Sequence, residues 1–434
     1  MAGHDVLPLD RLGGFQRLPY RDRGHVLTFI MIACSDESDQ TATSYLNEAM
    51  KSVHDAFVML VRAFEAKQIG PEDINAKEQT SLSLEMFCGI ADAGEMSGNE
   101  RIPHFATPFL SKLAALMNFY AVDLGICESI LCFFRDYTEK FVAVLSKDQT
   151  IVLFHSVAEL LKSYSSNHCI NRVVKKSAAL ASAEEEQAYE DIQTAIQLLV
   201  NLGAKDFIDA FGNSDSNHGI ASNQVTDVIF LGLQQILPLM TQGLLQLPTL
   251  CSQFFDLVGF MMETYPEKVC ALPFELFDSL LQSLLYGMSH HDANVAVVSL
   301  QGLGSISREQ LKTQVLQNHL TTKPGLLDDC IRRLIVEVVV QPLVVDRLEA
   351  CGMALLPLAA ANMNRLGGVI NYICQQVSNE HQRIRLEQAF TKLLQMEMLS
   401  KAAQGGFEGR SNRLKFKDAF QEFVNDVHSF LILK

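Results

Sequence analysis

Residues 236–250 read ILPLMTQGLLQLPTL, inside a run from Val228 to Phe255 that carries no charged side chain. A helix crossing hydrocarbon needs about 20 apolar residues, so length alone would suffice. The content argues otherwise. Five glutamines (Gln234, Gln235, Gln242, Gln246, Gln253) and two prolines interrupt the run, and every amide would need a partner inside lipid. The pattern reads instead as two helices joined by a tight turn. Apolar residues recur at helical spacing from Gln224 to Thr241, Pro238 bends the end, and Gly243 offers a left-handed residue past the terminus. Pro248 then opens a second helix with Leu250, Phe254, Leu257, Val258, Met261 and Met262 on one face and Asp256 and Glu263 on the other.

The same alternation continues downstream. Pro273 opens a helix with Phe277, Leu280, Leu281, Leu284, Leu285 and Met288 inward, and Asp292 is placed to cap the next one. CIRRLIVEVVV (330–340) is β-branched enough for a strand, yet helical spacing collects Ile331, Leu334, Ile335, Val338 and Val339, with Arg333 and Glu337 paired at i, i+4 on the outer side. First helices of successive pairs begin near 224, 273, 324 and 366, close to the period of HEAT-type repeats. A pair this small must bury its apolar face on its neighbours, so the fold expected is an all-α HEAT-repeat α-solenoid, a superhelical stack of antiparallel helix pairs.

Upstream, helices are expected at 41–67, 80–92, 105–120, 124–145, 149–164 and 184–202, so the solenoid spans 41–434 and residues 1–40 form a poorly defined amino-terminal segment. Linkers are expected near 165–183, 212–223 and 400–412, the last containing GGFEGRSN (405–412). Beyond it Phe416, Phe420, Phe423, Val424, Val427 and Leu431 form one stripe of a closing helix.

The chain has 434 residues and a formal charge of −15, which argues against nucleic acid or anionic lipid as partners and permits basic proteins. The apolar patch VLTFIMIAC (26–34) is too short for membrane insertion. Ten scattered cysteines show no C-x-x-C spacing, as expected of reduced, buried thiols.

No pattern points to catalysis, a cofactor or a metal. His290, His291 and Asp292 resemble a metal corner, but adjacent histidines should point apart, and a solvated turn with a helix cap is expected. His168 and Cys169 lack an orienting third group. Gly405, Gly406 and Gly409 lack phosphate-loop spacing. Arg410, Arg413, Lys415 and Lys417 read as a solvated basic face, and Glu184, Glu185, Glu186, Glu190 and Asp191 as a solvated helix start. The protein is expected not to be an enzyme.

AYEDIQTAIQLLVNLGAKDFIDAFG (188–212), the stretch 227–288, RIRLEQAFTKLL (383–394) and FQEFVNDVHSFLILK (420–434) closely resemble the carboxyl-terminal portion of the exportin-4 family, within the importin-β (karyopherin) superfamily. The resemblance implies a nuclear transport receptor that shuttles between nucleus and cytoplasm through the nuclear pore. It would touch nuclear pore proteins and bind protein cargo together with the GTP form of Ran. Family cargoes include translation initiation factor 5A-like and SMAD-like proteins, and some members import Sox-type factors. Family members are longer, and the amino-terminal arch that mainly grips Ran has no match here, so the chain reads as a carboxyl-terminal part. The alternative is a HEAT scaffold that assembles a complex without Ran, as a phosphatase scaffold subunit does.

In such solenoids the second helix of each pair lines the concave, cargo-facing side. On that logic Asp256, Glu263, Asp346 and Glu349 are the candidate cargo-binding residues.

Overall fold

The computed structural model describes residues 17–34, 40–98, 101–166, 189–211, 219–340, 344–401 and 406–431. All regular structure among them is helical. The chain forms two compact units, residues 1–250 and 251–434.

The first unit contains α1 (Tyr20–Ala33), α2 (Gln40–Glu65), α3 (Ile74–Ser97), α4 (Arg101–Ala106), α5 (Leu110–Phe119), α6 (Leu124–Phe141), α7 (Lys147–Tyr164), α8 (Glu190–Phe211) and α9 (Gly219–Ile236). Side chains fix many of their ends. Asp73 accepts the Ala76 amide at 2.9 Å to start α3, and Asp123 accepts that of Ile126 at 3.2 Å to start α6. Ser146 and Gln149 form a reciprocal capping box on α7. Phe57, Phe87, Phe109 and Phe133 pack edge-to-face or tilted in the core, with successive centroids 5.2–5.9 Å apart. Buried hydroxyls are paired, Tyr120 with Thr80 at 3.0 Å and Tyr137 with Thr107 at 2.9 Å.

Helix α1 lies within the first 40 residues, which the sequence leaves poorly defined. Two glycines bring it against α3. A Cβ on Gly89 would stand 2.3 Å from the Gly24 oxygen, and the Thr28 hydroxyl uses the close approach to donate to both Gly24 and Gly89 carbonyls, at 3.1 and 3.0 Å.

The second unit is built of stacked helical hairpins. The division falls in the first turn of α10 (Pro248–Thr264), and α11 (Pro266–Cys270), α12 (Phe274–Met288), α13 (Ala293–Thr313), α14 (Gln317–Thr322), α15 (Leu326–Val340), α16 (Val345–Ala361), α17 (Met363–Gln375), α18 (Glu380–Leu393), α19 (Met396–Ser400) and α20 (Gly406–Leu431) follow. Hairpins α12–α13 and α15–α16 stack so that α13 lies along α16, the arrangement of a HEAT-type α-solenoid. Helix α20 closes against α16 and α18, burying Phe416, Phe420, Phe423, Val424 and Val427.

Four local expectations are corrected. Gly243 is not left-handed: its φ is −66°, because α9 already ends at Ile236 and short 3₁₀ turns complete the reversal. Residues 406–412 are helical rather than a joint, anchored by buried Asn412, which donates to the Met398 oxygen at 3.0 Å. Glu337 is not on the outer side with Arg333. It is buried and paired with Arg347, since α16 covers that side of α15. His290 is not solvated and does not point away from His291: it is buried, and the two rings lie 4.1 Å apart.

Candidate functional site

Helices α10, α13 and α16 border a groove of about 800 Å³ in the second unit. Helix α10 starts at Pro248, and its amphipathic pattern turns Leu250, Phe254 and Met261 into the core, leaving Asp256 and Glu263 exposed on the groove. Asp292 caps α13 by accepting the Asn294 amide at 2.8 Å. That helix supplies the middle of the groove, including Val297, Val298, Gln301 and Arg308. Helix α16 contributes exposed Asp346, Glu349 and Met353. All four acidic residues singled out from the sequence thus line one groove.

The floor is apolar where Phe260, Val297, Val298 and Met353 remain partly open. Gly259 lets α10 approach α13, since a Cβ there would stand 2.7 Å from Val298. Among the described residues no cation stands at ion-pair distance from Asp256, Glu263 or Asp346, whereas Glu349 pairs with Lys417 of α20 at 2.6 Å. Loss of hydration holds the Asp256 carboxyl above the usual aspartate range, with Asp292 adding to the shift. The groove is an acidic surface over apolar side chains, suited to a cationic, partly apolar segment. The sequence reading missed Arg308, the apolar floor and the Lys417 pair, since each depends on which helices become neighbours.

The other singled-out groups are placed as follows. His290 Nδ1 accepts the Asp292 amide at 3.1 Å and Nε2 lies 3.9 Å from Cys251 Sγ, a structural setting for the imidazole. His168, Cys169, Glu184, Glu185, Glu186 and Gly405 lie outside the described residues. Asp191 is not part of a solvated helix start as expected: it is buried and accepts from the Tyr164 hydroxyl at 2.8 Å, so that acid anchors α8 to α7. Burial pushes the thiols of Cys127, Cys270, Cys330 and Cys351 up to about 12, which keeps them protonated and unreactive at neutral pH. Among the described residues no group of three His, Cys, Asp or Glu side chains could hold a metal ion, and no helix is long and apolar enough to cross a membrane.

A family model described as Exportin-4 matches residues 26–434. Among solved structures, a circular tandem repeat protein with novel repeat topology is similar over 94% of this chain and 97% of its own, at 13% identity and a TM-score of 0.43. That likeness is too loose to bear on function.

Proposed function

The chain belongs to the exportin-4 family, and from that premise we propose that it serves a nuclear transport receptor by holding a basic stretch of protein cargo in the α10–α13–α16 groove. The observation that carries this reading is the trio Asp256, Glu263 and Asp346, which have no cation at ion-pair distance among the described residues and gather over an apolar floor. Carboxylates left without internal partners keep their full attraction for an incoming lysine or arginine, and the apolar floor adds burial that free cations cannot exploit. Initiation factor 5A-like and SMAD-like proteins are the cargo classes that the family resemblance suggests.

On this reading the receptor moves cargo from nucleus to cytoplasm through the nuclear pore, in contact with pore proteins. Ran-GTP and cargo favour the same arrangement of the helical repeats, so each raises the affinity for the other, and GTP hydrolysis releases both. The test is capture of cargo by the full receptor with GTP-locked or GDP-bound Ran. Cargo retention that rises with the GTP form supports a transport cycle; equal retention with either form contradicts it and favours a Ran-independent scaffold.

A further inference from the structure

Arg308 and Arg413 lie on a cleft in the second unit that the acidic groove does not account for. Helices α13 and α16 approach closely at Gly304, where an added Cβ would stand 3.5 Å from the Ala354 Cα. Arg308, one turn further on, folds back over this contact, its Nη1 3.1 Å from the same position, and donates Nη2 to the Ser305 hydroxyl at 2.8 Å. Arg413 and Lys417 of α20 line the cleft with Arg308, beside Met353, Leu356 and Phe416. Lys417 is engaged by Glu349. Among the described residues neither arginine has a carboxylate at ion-pair distance.

Five other arginines of this unit are matched, while exposed Arg333 and Arg410 lie in open solvent. Arg332, Arg347, Arg365, Arg383 and Arg385 each meet an aspartate or glutamate. At the cleft, two guanidiniums share an apolar-walled recess where, among the described residues, the Ser305 hydroxyl is the one side-chain acceptor they meet, an arrangement that repels itself until an anion enters. Lost hydration, and next the charge of Arg413, hold Arg308 below the usual arginine range, the direction expected of a cation lacking a counter-ion. The recess offers about 20 Å³, little more than one water needs, so it admits a single oxygen of a carboxylate, phosphate or sulfate whose remaining atoms rest at its mouth.

We infer that Arg308 and Arg413 form an oxyanion pocket that receives an acidic or phosphorylated side chain of a bound protein. Arg308 also lines the acidic groove, so a segment lying there with its cations on Asp256 and Glu263 can place an anion on Arg308. This delivery rests on the proposed cargo reading; the pocket itself does not.

Thermal unfolding of the whole chain in sodium sulfate, against sodium chloride at equal ionic strength, tests the pocket. The parent should gain a saturable rise in Tm of about 2 °C, near what ligand at ten times its Kd yields for a chain of this size. Arg413→Gln should lose that component and, in chloride, melt no lower than the parent, because a repulsion has been removed. Arg308→Gln should behave likewise, and Lys415→Gln should retain the sulfate response. An equal saturable rise in the parent and Arg413→Gln, or none in the parent, overturns the pocket. The source of the anion is resolved with two carboxyl-amidated peptides, six lysines followed by glutamate or by glutamine. Tighter binding of the glutamate peptide, by about fivefold in the parent and not in Arg413→Gln, supports the side-chain source. Equal binding with the sulfate response intact overturns that source and assigns the pocket to free anions. Failure of both peptides to bind with the sulfate response intact counts against the cargo groove and not against the pocket.

Discussion

Arg347 of α16 pairs with Glu337 of α15 inside the second unit and also donates to the main-chain oxygen of Met288, at 2.8 Å, where α12 ends. The Ser289 hydroxyl donates to the other Glu337 oxygen at 2.9 Å, and Arg347 Nη1 reaches the His290 oxygen at 3.4 Å. One guanidinium therefore ties three helices by satisfying carbonyls that a helix terminus leaves open. The pair is mostly shielded from water, with side-chain exposures of 12% and 10%.

Removing both partners should therefore cost less than the two single removals added together. Arg347→Met strands a buried carboxylate and Glu337→Leu a buried guanidinium, each expected to destabilise by about 3 kcal/mol, while the double variant should cost less than the sum. Urea unfolding of the four proteins measures this. Additive losses would mean that the two side chains act independently.

His290 predicts an acid-sensitive component of stability. Burial lowers its folded pKa below the ordinary value of 6.5, reinforced by His291 and Arg347 and opposed by Asp292. Its Nδ1 must also stay unprotonated to accept the Asp292 amide. A group depressed on folding contributes its stability above the unfolded pKa and loses it as pH falls towards the folded one. Stability should decline below about pH 6.5 on this account, and His290→Phe should flatten the decline without abolishing folding at pH 8. The urea midpoint followed from pH 8 to 5 reads the difference; parallel curves for parent and variant would exclude His290 as its source.

Gly89 predicts a local loss of order. A Cβ at that position would overlap the Gly24 carbonyl, which is backbone and cannot swing aside. Gly89→Ala should push α1 from α3, break both Thr28 hydrogen bonds and destabilise by about 1–3 kcal/mol. Hydrogen exchange should quicken in residues 20–33 before it changes in the second unit. Unchanged protection there would show that the contact tolerates a methyl group.

Much of the helical architecture is legible in the sequence because one stripe of apolar residues serves both the helix and its stacking. Leu280, Leu284 and Met288 or Ile331, Leu334 and Val338 reveal the helix and its buried face together. Caps such as Asp292 are equally local. What escapes is set by neighbours remote in sequence. Glu337 looks like a surface acid until Arg347 arrives from the next helix, and the close approach of Gly24 to Gly89 has no signature in either local stretch. The groove divides in the same way: Asp256 and Glu263 are visible as the polar side of one helix, while Arg308 joins them only through the packing of α10, α13 and α16.

The central claim, that the acidic groove holds basic protein, is tested most directly by titrating a fluorescent lysine-rich peptide against the parent and against Asp256→Lys/Glu263→Lys, at several salt concentrations. Both substitutions fall on exposed side chains, so the fold should persist. The account predicts weaker binding by at least tenfold at low salt, about 1.4 kcal/mol, and a shallower salt dependence in the variant. Equal affinity and equal salt slope in the two proteins would contradict it.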